Sequence, residues 1–243
     1  MLIINADDWG RSKTETDAAL ACFKAGRITS VTAMVYMEDS ELAAAVAKTN
    51  ALSAGLHLNF SQPFNAVNCP ERTRERHAKN VKFLTANKYA QLVYNPFLRQ
   101  AMAGDCTAQL DEFLRLYGKP PTHVDGHHHM HLCANMVFSR IIPVGTKMRR
   151  NFSFWPGEKS LLNRAYRGFI DRVMSRRYHL PDYLFCLLQS IESHRMDRVI
   201  ALARAARVEL MTHPIIERES SFLLSQEFLS LIQGLPVGGY SVL

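Results

Sequence analysis

The chain has no apolar run approaching the roughly 18 residues a membrane-spanning helix needs, which excludes a helical span. Its five cysteines, Cys22, Cys69, Cys106, Cys133 and Cys186, are odd in number, widely spread and never in a CxxC pair. That excludes a disulfide framework and argues against a thiolate zinc site. The N-terminus carries no basic, apolar leader of the secretory kind, so the expected location is a reducing cytoplasm. Glycine-rich phosphate loops are missing too: neither GxGxxG nor GxxxxGK(S/T) occurs, which weighs against a nucleotide-binding doubly wound sheet.

What is present describes an ordinary globular protein. Of 243 residues, 47% are hydrophobic and 21% charged, inside the range of chains that bury a core. Twenty-nine basic against 22 acidic residues leave a net charge of +7. Much of that excess is local, with nine basic residues against Glu158 and Asp171 between Lys147 and Arg177. In the same stretch Leu161, Leu162, Ala165, Phe169, Ile170, Val173 and Met174 recur at helical spacing, which predicts an amphipathic helix with a basic solvent face. The rival reading is a non-enzymatic module binding nucleic acid or an anionic surface.

Short apolar runs alternate with helical patterns. Leu2-Ile3-Ile4, Thr29–Val35, Ala54–Phe60, Thr122–Asp125 and Val208–Thr212 read as strands. Thr14–Ala25, Glu41–Lys48, Cys106–Tyr117 and Met196–Ala206 read as helices. This alternation predicts a parallel sheet with helices outside. The expected fold is α/β, a distorted (β/α) TIM-like barrel in a single domain over residues 1–243.

Half of the ten histidines lie in THVDGHHHMHL, residues Thr122–Leu132. Elsewhere LIIN leads to Asp7 and Asp8, AGL to His57, and VELMT to His213. Four apolar runs thus carry Asp or His within them or just beyond their C-terminal ends, the edge where parallel barrels build active sites. Asp8, His57 and His127 would form a two-nitrogen, one-oxygen site for a catalytic divalent metal with open positions. One of two adjacent carboxylates can bind such a metal while the other serves as base. His213, before Pro214, is suited to protonate a leaving group. The chemistry implied is metal-assisted hydrolysis. His127 and His131, four apart, would share a face if Gly126–Leu132 opened a helix, making His131 a further ligand or support. His128 and Arg149 are assigned to support or substrate contact. The ligand types suit Zn, Co, Fe or Mn, and water-filled positions admit Mg. Phosphoester hydrolysis could use the same metal site.

NADDWG (Asn5–Gly10), GLHLNF (Gly55–Phe60), THVDGHHHMHL and ELMTHP (Glu209–Pro214) together resemble the four motifs of the YdjC-like carbohydrate deacetylases. That group includes the chitooligosaccharide deacetylases and hopanoid-associated members. The resemblance spans nearly the whole chain in the family's order. It implies a distorted barrel, one divalent ion (Mg2+ or Zn2+, others open) and removal of an N-acetyl group from a sugar. It makes Asp7 the general base, Asp8, His57 and His127 the ligands, and His213 the acid. Trp9 stands where the family usually has Phe, and Ile215 where Gly usually follows the His-Pro pair. The partner implied is an acetylated sugar, chitooligosaccharide-like or glycolipid-linked, and not nucleic acid; self-association into a homodimer is left open.

Overall fold

β1 (Leu2–Trp9) is buried at every one of its eight positions, as a strand covered on both faces of a parallel sheet must be. The computed structural model describes residues 1–242, so Leu243, the last residue of the expected domain, lies outside it. After β1 come α1 (Lys13–Lys24), β2 (Ser30–Ala33), α2 (Ser40–Thr49), β3 (Ala54–Leu58), α3 (Glu71–Leu84), α4 (Arg99–Tyr117) and β4 (Val124–Gly126). The chain continues through α5 (Ala134–Ser139), α6 (Leu161–Met174), β5 (Tyr183–Cys186), α7 (Leu187–Glu192), α8 (Met196–Ala205), β6 (Val208–Thr212), α9 (Glu217–Leu224) and α10 (Gln226–Ile232).

The strands form one parallel sheet in the order β4-β3-β2-β1-β6-β5. It curls into a half-barrel rather than the closed eight-strand barrel of the TIM type. That agrees with a distorted barrel, as expected, but not with a full TIM barrel. The gap between β4 and β5 is crossed by an irregular segment. Lys147 and Met148 make single parallel bridges to His179 and Val124, Arg149 N donates to Val124 O at 3.1 Å, and Ser153 N to Leu184 O at 2.9 Å. Pro143, Gly145, Pro156 and Gly157 flank this stretch. Prolines lack the ladder donor, and Gly145 and Gly157 turn the chain at φ +83° and +92°, so only isolated bridges form.

Two more expectations change. The strand expected over Thr122–Asp125 runs Val124–Gly126, because Thr122 and His123 pair with β3 only through single backbone bonds. The helix over 161–174 forms, and Ser160 caps it by accepting from Asn163 N. Its apolar residues do not all face inward: Leu161 and Leu162 are 79% and 84% exposed while Ile170 and Met174 are buried. Nor are its neighbouring cations all in solvent, since Arg149 is buried and Arg150 pairs with Asp171.

Trp9 is fully buried and donates its indole N–H to Ala43 O at 3.2 Å, the partner a buried Trp needs and a Phe would not. Gly55 in β3 is a close-approach position: a Cβ there would lie 2.5 Å from the His123 ring. His123 in turn stacks face to face on Tyr240, centroids 3.6 Å apart, and burial pushes it down to about 3, so it is a neutral packing group.

Candidate active site

Successive side chains of a strand point to opposite faces, which would separate Asp7 from Asp8. The separation is avoided because Asp8 adopts φ +63° and the pairing of β1 with β2 shifts between Ala6 and Trp9. A non-glycine residue there costs on the order of 1 kcal/mol, which the surrounding contacts must offset. The turn that continues through Gly10, at φ +81°, therefore starts at Asp8 itself. Asp7 and Asp8 line a cavity of about 420 Å³ together with Arg11, His57, His127, His128 and His213.

Asp8, His57 and His127 are buried, and one donor atom from each lies within 4.8 Å of the others. Asp8 Oδ1 sits 2.8 Å from His127 Nδ1 and 3.3 Å from His57 Nε2. Burial alone would raise Asp8, but hydrogen bonds from His127 and His57 outweigh it and hold the carboxyl well below its usual range. His57 Nδ1 pairs with Asp125 Oδ1 at 2.7 Å, which leaves Nε2 facing Asp8. Burial works against charge on His57, yet Asp125 and its neighbours push it up to about 10. His127 Nε2 is buried without a partner. An orphaned imidazole nitrogen, a low-lying carboxylate and a second imidazole fixed by a carboxylate behind it fit a divalent cation. A second grouping, Asp7, His57 and Asp125, is also close enough, but a cation already occupies its centre.

That cation is Arg149, which is fully buried. Nη1 and Nη2 reach Asp7 Oδ2 and Oδ1 at 2.6 Å each, Nη1 lies 2.8 Å from Asp125 Oδ2, and Nε donates to Glu209 Oε1 at 2.8 Å. Burial disfavours its charge, but Asp125, Asp7 and Glu209 together drive Arg149 well above the usual value. Burial would likewise raise Asp125, yet Arg149 and His57 hold it far down. Glu209 goes the other way, pushed up by burial despite Arg149, and accepts from the Tyr240 hydroxyl. Asn5 Nδ2 also donates to Asp7 Oδ1 at 2.9 Å.

The histidine run is not a helix face. His128 and His129 take φ +51° and +57° inside a 3-10 turn over His127–Leu132, so His127 and His131 do not stack as i and i+4. His131 is absent from both metal-capable groups among the described residues; its Nε2 lies 3.2 Å from Arg149 O. It thus buttresses the segment carrying Arg149. Gly126 admits it, since a Cβ there would lie 2.9 Å from His131 Nδ1. His128 stands at the cavity wall with Nδ1 3.0 Å from Ser61 Oγ. His213 lines the cavity from the end of β6, opposite the histidine run, and its backbone N–H donates to the buried Glu219. Burial pushes Glu219 up to about 7. Ile215, at the departure from the usual motif, is 45% exposed at the cavity mouth.

Sequence reading brought Asp7, Asp8, His57, His127, His128 and His213 to one cavity, with Arg149 directly behind it. It missed Asp125, Glu209 and Tyr240. A signal for the first two existed: a carboxylate inside a buried apolar run, as in THVDG and VELMT, must be paired with something. Tyr240 gave none.

A family model described as YdjC-like protein matches residues 1–234. A chitooligosaccharide deacetylase of Klebsiella pneumoniae subsp. pneumoniae is 27% identical over 223 residues, covering 88% of this chain and 81% of that one. A chitooligosaccharide deacetylase of Yersinia enterocolitica is 33% identical over 135 residues, spanning 54% of this chain and only 51% of its own length. A carbohydrate deacetylase of Clostridium beijerinckii is 36% identical over 137 residues, 54% of this chain and 50% of that one. A provisionally named cellobiose-phosphate cleavage protein from Enterococcus faecalis V583 superposes with a TM-score of 0.69 over 99% of this chain and 97% of its own. At 18% identity that likeness concerns the fold alone.

Proposed function

The chain belongs to the YdjC-like family, and from that premise we propose that it is a metal-dependent hydrolase removing an N-acetyl group from an acetylated sugar. The observation that carries the reading is the convergence of Asp8, His57 and His127 beside Asp7 and His213 in one cavity. Relatives named for sugar deacetylation support the same substrate class.

Asp8, His57 and His127 would hold the ion. When bound, a divalent cation supplies Lewis acidity, polarising an acyl oxygen and acidifying water towards a pKa of about 7. Asp125 fixes the His57 tautomer so that Nε2 faces the ligand position. Asp7 accepts the proton of the attacking water. Each carboxylate oxygen has two lone-pair directions, so Asp7 keeps an acceptor towards the cavity while Arg149 and Asn5 hold it from behind. His213, across the cavity, donates a proton to the departing amine nitrogen. The backbone bond to Glu219 holds its loop in place.

The test is acetate release from N-acetylated oligosaccharides, with protein stripped of metal and then supplied with Mg2+, Zn2+, Mn2+ or Co2+. Metal-dependent acetate release is expected. A broad substrate panel yielding none with any ion would refute the reading, and phosphate release from sugar phosphates with acetamides intact would replace it.

A further inference from the structure

We propose that Tyr240, in the segment after α10, is a positioning residue for the reaction: acting through Glu209 and Arg149, it fixes the orientation of the Asp7 carboxylate. The inference rests on the deacetylase reading, in which Asp7 takes the water's proton. The catalytic groups stand at the C-terminal ends of the strands, whereas the segment carrying Tyr240 crosses the opposite ends. At the start of β1, Leu2 N donates to Pro236 O at 2.9 Å and Gly238 N to Leu2 O at 3.0 Å. A Cβ on Gly239 would lie 3.4 Å from Thr29 O and 3.5 Å from Ser53 Oγ, just before β2 and β3. Lys147 Nζ donates to Tyr240 O at 2.7 Å. From beneath these strands the Tyr240 ring enters the interior, fully buried and stacked on His123, just before β4.

An unbroken path of hydrogen bonds leads from that ring to the catalytic cavity. The Tyr240 hydroxyl donates to Glu209 Oε2. Arg149 Nε and Nη2 hold Glu209 Oε1 at 2.8 and 2.7 Å, and Nη1 and Nη2 of the same guanidinium grip the two Asp7 oxygens. Tyr240, Glu209 and Arg149 are all fully buried, so none of them can exchange a lost partner for bulk water. A guanidinium is a rigid planar fork. If Glu209 shifts to satisfy an abandoned Oε2, it tilts that fork at Nε and swings the two nitrogens that aim Asp7. Asn5 and Thr32 also hold Asp7 Oδ1, at 2.9 and 3.3 Å, but Oδ2 answers to Arg149.

Tyr240→Phe removes the hydroxyl and keeps a ring to stack on His123. Acetate release from a di-N-acetylated glucosamine disaccharide is expected to lose about tenfold or more in kcat, with KM within about twofold and bound metal unchanged, because a misplacement of about 1 Å suffices for such a loss. Glu209→Gln should also lower kcat, and the two changes together should cost about as much as the larger one alone, since both cut one path. A kcat within about twofold of native in either single variant, or effects that multiply in the double variant, overturns the proposal. A raised KM with loss of metal does so too, since general loosening then explains the result. Where Tyr240→Phe does not fold, Glu209→Gln decides on its own. A second readout needs no turnover: the Arg149 Nε–H, identified by nuclear magnetic resonance through its absence from Arg149→Lys, should exchange with solvent about tenfold faster in Tyr240→Phe than in the native protein. Unchanged exchange overturns the proposal. Faster exchange, with no acetate released by the native protein from any substrate, would keep the path and sink the deacetylase reading; acetate release that Tyr240→Phe leaves unaltered would do the reverse.

Discussion

Two neighbouring cavities, the catalytic one and another between the 88–92 loop and α6, are built on opposite principles. In the catalytic one the charged groups sit at strand ends, are buried, and hold one another: Arg149 alone joins Asp7, Asp125 and Glu209. In its neighbour the polar groups come from loops and one face of α6, stay partly exposed, and leave Arg167 among neutral partners. A network closed on itself fixes geometry for one reaction, whereas an open one fixes little. Substitutions in the first region should therefore damage the reaction on every substrate. Those in the second should leave the buried network intact.

The sharpest break comes from the adjacent aspartates. Asp7→Asn should keep bound metal but cut turnover by about 10²–10⁴-fold, because an amide cannot accept the water's proton. Asp8→Asn should lose metal first. Metal content and acetate release measured on both variants decide the order, and metal loss from Asp7→Asn alone would reverse the assignment.

Arg149→Met should cost about 3–5 kcal/mol, since it strands buried carboxylates without their cation. Its melting temperature should fall well below that of Arg167→Gln, and near-equal values would erase the contrast between the cavities. Asp125→Asn should be milder, weakening metal affinity by about 10–100-fold through loss of His57 orientation. A competition titration with a metal-sensitive dye would show an unchanged constant if Asp125 has no such role.

The last effect is a pH dependence. His57 rises from 6.5 when unfolded to about 10 in the fold. In metal-free protein its contribution to stability is thus complete below about pH 6.5 and disappears as pH climbs through about 10. Bound metal takes the proton's place, so melting curves across that window should slope downward in chelator and flatten with metal. Equal slopes would mean that His57 is not a ligand.

Much of this arrangement is legible in the chain itself. The strands opening at Leu2-Ile3-Ile4 and at Val208 are legible from their short apolar runs, which both faces of the sheet cover, and the Asp and His residues just beyond them announce a shared edge. α3 escaped notice for a physical reason: its buried stripe is Thr73, His77, Asn80 and Leu84, mostly polar. His77 and Asn80 are made burial-tolerant by Asp105, at 2.7 and 3.0 Å. Apolar periodicity cannot reveal a face held by hydrogen bonds.

Local order of residue types therefore determined the strands, their polar ends and the class of chemistry those ends can support. Tertiary structure alone decided the rest. The left-handed turn at Asp8 that brings two neighbouring carboxylates to one cavity depends on the packing around it. The unpaired edge between β4 and β5 depends on where the Lys147–Ser153 segment docks. Arg149 became the hub of the site by meeting residues 142 positions away in one direction and 60 in the other. Charge pairing over such separations obeys distance and burial in space, and neither is written in the spacing of residues along the chain.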